Sequence, residues 1–218
     1  MRLTTKLHFS VVRYTALAAS VLLAACAGDS TAPGTAPAAR SDQVTSPFVP
    51  TAASKSLVGI SNGTYEFTID PRRDQALVLG ANYLYIPANA VCDISGSSYG
   101  VGHWDESCAA QRGKLTITAT VRGASSAHPS IDFSPAMRFS PDTKVELYIY
   151  VPRAERRLTN SWVMNYCNDQ QVCVDESLTD PSLATQTDRT NAIVFRRIKH
   201  FSGYIVTSLT DDTSSLLM

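Results

Sequence analysis

The chain has 218 residues, 44% of them apolar and 17% charged, enough for one domain with a genuine core, or for a domain plus a tail. Nineteen basic side chains balance nineteen acidic ones, so the formal charge at neutral pH is zero. A domain that grips a polyanion is visibly basic, so composition argues against nucleic acid as a partner.

The first segment reads as an address. Arg2, Lys6 and Arg13 form a positive region, and Thr15 to Ala25 an apolar run ending in small residues. This is the layout of a secretory signal peptide over residues 1–25, and it is too short to span a bilayer as a helix. Leu23-Ala24-Ala25-Cys26 resembles the bacterial lipobox, in which the cysteine is acylated and becomes the mature N-terminus. The alternative is an ordinary cleaved signal peptide with an incidental Cys26. Each buried CH₂ of an acyl chain contributes about 0.8 kcal/mol, so several chains hold a domain to a membrane. Ala27, where an Asp would signal retention, resembles the outer-membrane sorting rule of Gram-negative lipoproteins. Cleavage before Cys26 leaves 16 basic and 19 acidic side chains, a net charge of −3.

Residues 26–56 are dominated by Ala, Pro, Ser and Thr without apolar periodicity. Such a segment buries too little surface to offset its ordering entropy, and is expected to be a disordered, flexible tether. Neither Pro37 nor Pro47 carries a specific docking signal. Residues 57–210 are expected to form the domain, with a short tail at 211–218.

Within the domain, apolar residues alternate with polar ones. Tyr65, Phe67 and Ile69 share a face, with Thr64, Glu66 and Thr68 on the other. Leu115, Ile117, Ala119 and Val121 alternate with threonines, and Val145, Leu147, Ile149 and Val151 with Lys144, Glu146, Tyr148 and Tyr150. Trp162, Met164 and Tyr166 repeat the pattern. These are half-buried strands. Shorter apolar runs lie at Ala76–Leu79, Tyr83–Ile86, Ile193–Phe195 and Tyr204–Val206. Asn62-Gly63 reads as a type I′ hairpin turn, and Ser134-Pro135 and Ser140-Pro141 as breaks. Many short strands without βαβ alternation predict an all-β fold, an antiparallel sandwich or barrel, and a sandwich is taken here.

Beyond Cys26 remain Cys92, Cys108, Cys167 and Cys173. Export favours disulfides, and four cysteines allow three connectivities. The sequence-local choice is Cys92–Cys108 with Cys167–Cys173, each contributing about 2–3 kcal/mol by restricting the unfolded chain. A zinc site favours CxxC knuckles, which these spacings lack, so no metal is expected.

Few constellations suggest chemistry. Ser61 and Ser98 each lie in G-x-S-x-G, but neither is followed by the helix that a nucleophile elbow requires. The loop between Cys92 and Cys108 holds Asp93, Tyr99, His103, Trp104, Asp105 and Glu106. Tyr99, His103, Trp104 and Asp105 are candidate binding residues, because aromatics and carboxylates on pinned loops often contact ligands. The structural alternative folds Trp104 onto the sandwich. Arg153, Arg156, Arg157, Arg196, Arg197 and Lys199 read as a solvated face or edge protection. The remaining histidines, His103, His128 and His200, form no HxH or HExxH pattern, so neither metal nor other cofactor is expected.

Leu84-Tyr85-Ile86-Pro87-Ala88-Asn89-Ala90-Val91, the run from Phe133-Ser134-Pro135 to Phe139, the strand Lys144–Val151 and His200-Phe201-Ser202-Gly203-Tyr204 together resemble the ZU-five domain. The family usually has Pro-Pro-Gly-Ala where this chain has Pro87-Ala88-Asn89-Ala90. Asn89 is the residue that tolerates left-handed geometry in glycine's place. The resemblance implies a β-sandwich scaffold that docks other proteins. In some relatives His-Phe-Ser also cuts itself. Carried to this chain, Ser202 would attack the Phe201 carbonyl with His200 as base. The structural alternative makes the motif a last core strand, with Phe201 buried and Gly203 in a bulge. The expected function is therefore a non-enzymatic envelope lipoprotein that binds a protein or glycan or supports the envelope, with self-cleavage as the alternative.

Overall fold

The computed structural model describes residues 60–152, 154 and 162–208. The expected signal peptide, Cys26, the tether, the tail, Arg153, Arg156 and Arg157 lie outside these residues.

The regular secondary structure of the described residues is almost entirely strand. In chain order the strands are β1 (Gly63–Ile69), β2 (Gln75–Leu79), β3 (Asn82–Ile86), β4 (Leu115–Arg122), β5 (Ser130–Ser134), β6 (Val145–Tyr150), β7 (Trp162–Cys167), β8 (Cys173–Val174), β9 (Gln186–Asp188), β10 (Ile193–Ile198) and β11 (Gly203–Ser208). Two single-turn 3₁₀ segments, Glu176–Leu178 and Pro181–Leu183, interrupt the run between β8 and β9. One antiparallel sheet has the order β1-β4-β5-β11-β7-β8 and the other β2-β3-β6-β10-β9. They pack face to face as an all-β sandwich.

Side-chain alternation explains the packing. In β4, Ile117, Ala119 and Val121 are buried while Thr116 and Arg122 are exposed. In β6, Val145, Leu147 and Ile149 enter the core with Leu84 and Ile86 of β3 and Met164 of β7. The opposite face of the second sheet is not polar, as the sequence suggested. Tyr148 stacks on Phe195 with ring centroids 5.1 Å apart, and Tyr148, Tyr83 and Ile193 form a second buried cluster. Cross-strand aromatic pairing of this kind stabilises a sheet beyond its ladder.

Asn62-Gly63 is not a hairpin turn. Gly63 pairs with Val121 in the β1–β4 ladder, and the Asn62 carboxamide oxygen accepts a 2.9 Å hydrogen bond from the Ala124 amide. The tight hairpin is Gly80-Ala81, between Leu79 and its partner Asn82. Gly80 has φ 68°, which a two-residue turn with glycine in first place requires. Asn89 takes φ 60°, the left-handed geometry expected of it.

Antiparallel order sorts the connections to two ends. The entry into β1, the β2–β3 and β4–β5 turns, the β9–β10 turn and the end of β11 lie at one end. The opposite end, the loop end, carries residues 70–74, residues 87–114, residues 135–144, the β7–β8 hairpin, the 199–202 crossover and the two 3₁₀ turns, which Lys199 holds through Asp180. Isolated bridges Val91–Phe139 and Arg138–His200 tie these connections together.

Candidate functional site

The loop end is fastened in several independent ways. Disulfides join Cys92 to Cys108 and Cys167 to Cys173, the sequence-local pairing. Arg138, 4% exposed, leaves the β5–β6 linker and reaches under the 92–108 loop. Its Nε donates to the Ser98 carbonyl at 2.8 Å, and its other nitrogens to the carbonyls of Glu106 at 2.5 Å and Ser107 at 3.4 Å. A guanidinium presents its donors as a rigid fork, so three carbonyls on one loop fix that loop's path. The cleft beside Arg138, bordered by Asp93, Tyr99 and Met137, has a cavity volume of about 30 Å³. That is space for water and too little for an organic ligand.

Lys199 binds two segments at once. Its ammonium lies 2.5 Å from Asp105 Oδ1 in the disulfide loop and 2.6 Å from Asp180 Oδ2 before the second 3₁₀ turn. Partial burial pushes the Asp180 carboxyl up, but its bonds to Lys199 and Ser182 outweigh this and hold it at about 2 rather than 3.8. Burial likewise opposes the Lys199 ammonium, and Asp105 and Asp180 overcome it, raising the Lys199 pKa.

His200 is the hub. It has no exposed surface, and its ring stacks on Trp104 at 4.0 Å between centroids, with Tyr166 edge-on at 4.7 Å. His200 Nε2 lies 3.1 Å from Glu176 Oε1. The second Glu176 oxygen pairs with Arg196, which also donates to the Met164 carbonyl at 2.8 Å and lies over the Tyr204 ring. Burial pushes the Glu176 carboxyl up, but His200 and then Arg196 bring it below its ordinary value. Tyr204 is fully buried, which raises its pKa well above the usual phenol value, and its hydroxyl donates to the His200 carbonyl at 2.7 Å. Arg196 of β10 and Lys199 of the crossover are thus interior, 1% and 7% exposed, not a solvated face. Arg197 is half-buried and donates to the carbonyls of Pro141 at 2.7 Å and Thr143 at 2.8 Å.

These pairings set the acid limb of stability. A carboxyl whose folded pKa is depressed stabilises the fold above its unfolded value, and that contribution is lost as pH falls through the folded value. For Glu176 the unfolded value is 4.5 and the shift is downward; for Asp180 the fall is from 3.8 to about 2. The urea midpoint should therefore hold steady down to about pH 5 and decline from there toward about pH 2. A midpoint that stayed level to pH 2.5 would contradict both pairings.

Of the sequence-predicted binding residues, Tyr99 and Trp104 meet in an edge-to-face pair at 4.8 Å, both against His200. Trp104 is folded onto the sandwich. His103 Nδ1 lies 2.9 Å from Glu106 Oε1. The Tyr99 hydroxyl donates to the Phe201 carbonyl at 2.5 Å and lies 3.0 Å from Ser202 Oγ. Burial raises the Tyr99 pKa, against the Ser202 contact, so the phenol keeps its proton. Phe201 is fully buried, stacked on Phe133 at 4.6 Å and edge-on to Phe139 at 5.0 Å. The strand starts only at Gly203, which pairs regularly with Asp132 and Cys167 and forms no bulge. A Cβ there would stand 2.7 Å from Asp132 Oδ1 and 3.2 Å from the Cys167 carbonyl, so close approach is what demands glycine. Ser61 is exposed and leads into β1; Ser98 is exposed within the loop. Neither stands before a helix.

Glu176, Arg138, Asp180 and Tyr166 were not singled out from sequence. Asp175 and Asp180 cap the two 3₁₀ turns, each accepting the amide of the residue two on, Ser177 and Ser182, at 2.9 Å, and an Asp-x-Ser pattern of this kind is the one local signal that bears on Asp180. Among the described residues no cluster of His, Cys, Asp or Glu is arranged to hold a metal ion. Comparison with known proteins returns no matching family model, no matching curated protein and no matching solved structure, so function has to be read from this fold and this loop end.

Proposed function

We propose that this is a non-enzymatic, lipid-anchored protein of the cell envelope whose loop end docks another protein. One observation carries the reading. Of the eight large apolar residues that are exposed among the described ones, Ile94, Tyr99, Val101, Val172, Val174 and Leu178 lie on loop-end segments. Those segments are fixed in advance by two disulfides, the Arg138 fork and the Lys199 clamp. Apolar side chains held out on a rigid frame bind with little ordering cost. Aliphatic Val101, Val172 and Leu178 suit a protein better than a glycan, which selects for open aromatic faces, and Trp104 gives one face to His200. The lipobox supports the anchor, and the entry into β1 lies at the end away from these loops. The test is site-specific photo-crosslinking in intact cells. A crosslinker at Leu178 should trap a protein partner and one at Thr64 should not. Equal trapping from both, or from neither, refutes the reading.

Self-cleavage is the second reading, and the Tyr99 hydroxyl on the Phe201 carbonyl is what favours it. Against it, His200 Nε2 is engaged by Glu176, and the peptide groups around Phe201 are bonded to Met137 and Phe133 as in an ordinary crossover. The purified chain should give one intact mass, unaltered by Ser202→Ala. A fragment beginning at Ser202 that vanishes in that variant would reverse the order of the two readings.

A further inference from the structure

We infer that the partner of the loop end is a polypeptide segment that is both apolar and basic. This rests on the docking reading above and adds the chemistry of the occupant. Residues 93–107 contain Asp93, Asp105 and Glu106 and no Lys or Arg. Residues 168–183 contain Asp169, Asp175, Glu176 and Asp180, again with no Lys or Arg. Three cations reach these segments from elsewhere, and all are interior: Arg138, Arg196 and Lys199 are 4%, 1% and 7% exposed. Their charge is used inside, on loop carbonyls, on Glu176 and on the Asp105–Asp180 pair. The exposed cations of this end lie on other connections: Arg72 and Arg73 between β1 and β2, Arg112 and Lys114 on the run into β4, and Lys144 on the run into β6.

On residues 93–107 and 168–183 themselves, the surface charge is therefore of one sign, around apolar side chains. The Asp105 and Glu106 side chains are 73% and 51% exposed, and Val101 and Leu178 are 84% and 83% exposed. Like charges facing each other across an interface are costly, and opposite potentials steer encounter, so an acidic partner is disfavoured and a basic one favoured. An anionic lipid surface is disfavoured for the same reason. A basic partner lacking apolar residues leaves Val101 and Leu178 uncovered. A partner that combines Lys or Arg with Leu-type side chains satisfies both features.

The probes are three synthetic amphipathic peptides of equal length, built from leucine and lysine, leucine and glutamate, and serine and lysine. Binding to the purified chain is followed by calorimetry at about 50 mM and about 500 mM NaCl, which shortens the screening length severalfold. The leucine–lysine peptide should bind, at least about tenfold tighter than either other peptide, and weaken in high salt. Val101→Asp with Leu178→Asp should weaken it about tenfold or more. Glu106→Gln with Asp169→Asn should reduce its salt dependence. All four positions are exposed, and unchanged melting of the variants confirms that they fold. Leucine–glutamate binding as tightly as leucine–lysine overturns the basic assignment and leaves the docking surface standing. Serine–lysine binding as tightly, or apolar variants without effect, overturns the docking surface itself, as does binding by none of the peptides. Tighter association with phosphatidylcholine vesicles than with any peptide overturns the polypeptide assignment in favour of a membrane.

Discussion

Glu176→Ala should cost about 3–5 kcal/mol of folding stability, the usual penalty for removing one partner of a buried ion pair. Arg196 is 1% exposed, and the Met164 carbonyl is its other hydrogen-bond acceptor, so its charge would remain inside without a counter-ion. His200 would lose its Nε2 partner in the same step. The measurement is a urea midpoint at neutral pH with the slope checked for constancy. A second variant separates charge from packing. Glu176→Leu combined with Arg196→Met removes both charges and should recover much of the loss, because well-packed apolar pairs often match buried ion pairs. A loss below about 1 kcal/mol in Glu176→Ala would mean that Arg196 finds water and that Glu176 is not its buried counter-ion.

Phe201→Ala is the other large effect, again about 3–5 kcal/mol, from lost transfer energy plus the cavity left between Phe133 and Phe139. Phe201→Leu should cost only about 1–1.5 kcal/mol, since much of the volume is kept. The ratio of the two matters. It locates Phe201 in the core between the sheets, where the sequence alternative put it, even though its backbone is the crossover rather than a strand. Equal small effects from both variants would place the ring at the surface.

The strands were legible because each is a local pattern. Leu115 to Val121 alternates so regularly that its inward face could be written down from the residues alone. Elements defined by partners were not. β8 is two residues, Cys173 and Val174, and exists by pairing with Tyr166 and Cys167; β9 is the polar run Gln186–Asp188 laid beside β10. Asn62-Gly63 is the strongest local turn signal in the chain, yet tertiary pairing with Val121 prevails. The hub was opaque for the same reason. Glu176 and His200 are 24 positions apart, and Tyr99 and Phe201 are 102 apart. Arg196 reads as a surface cation until the chain from β8 brings a carboxylate to it. The cysteines were the exception: short spacings between strands favoured local closure, and both bridges close locally.

The sorting of connections to two ends has a mechanical corollary. A pull on the N-terminal side enters at Gly63, and a pull by anything held at Val101 or Leu178 enters at the other end. The line of force then runs along the strands. β1 is an edge strand, and its seven paired positions, Gly63–Val121 through Ile69–Leu115, would be loaded together in shear rather than unzipped one by one. Under such a load the tension would fall on one ladder, so a variant that weakens the β1–β4 pairing should lower the unfolding force of the domain pulled between these two ends.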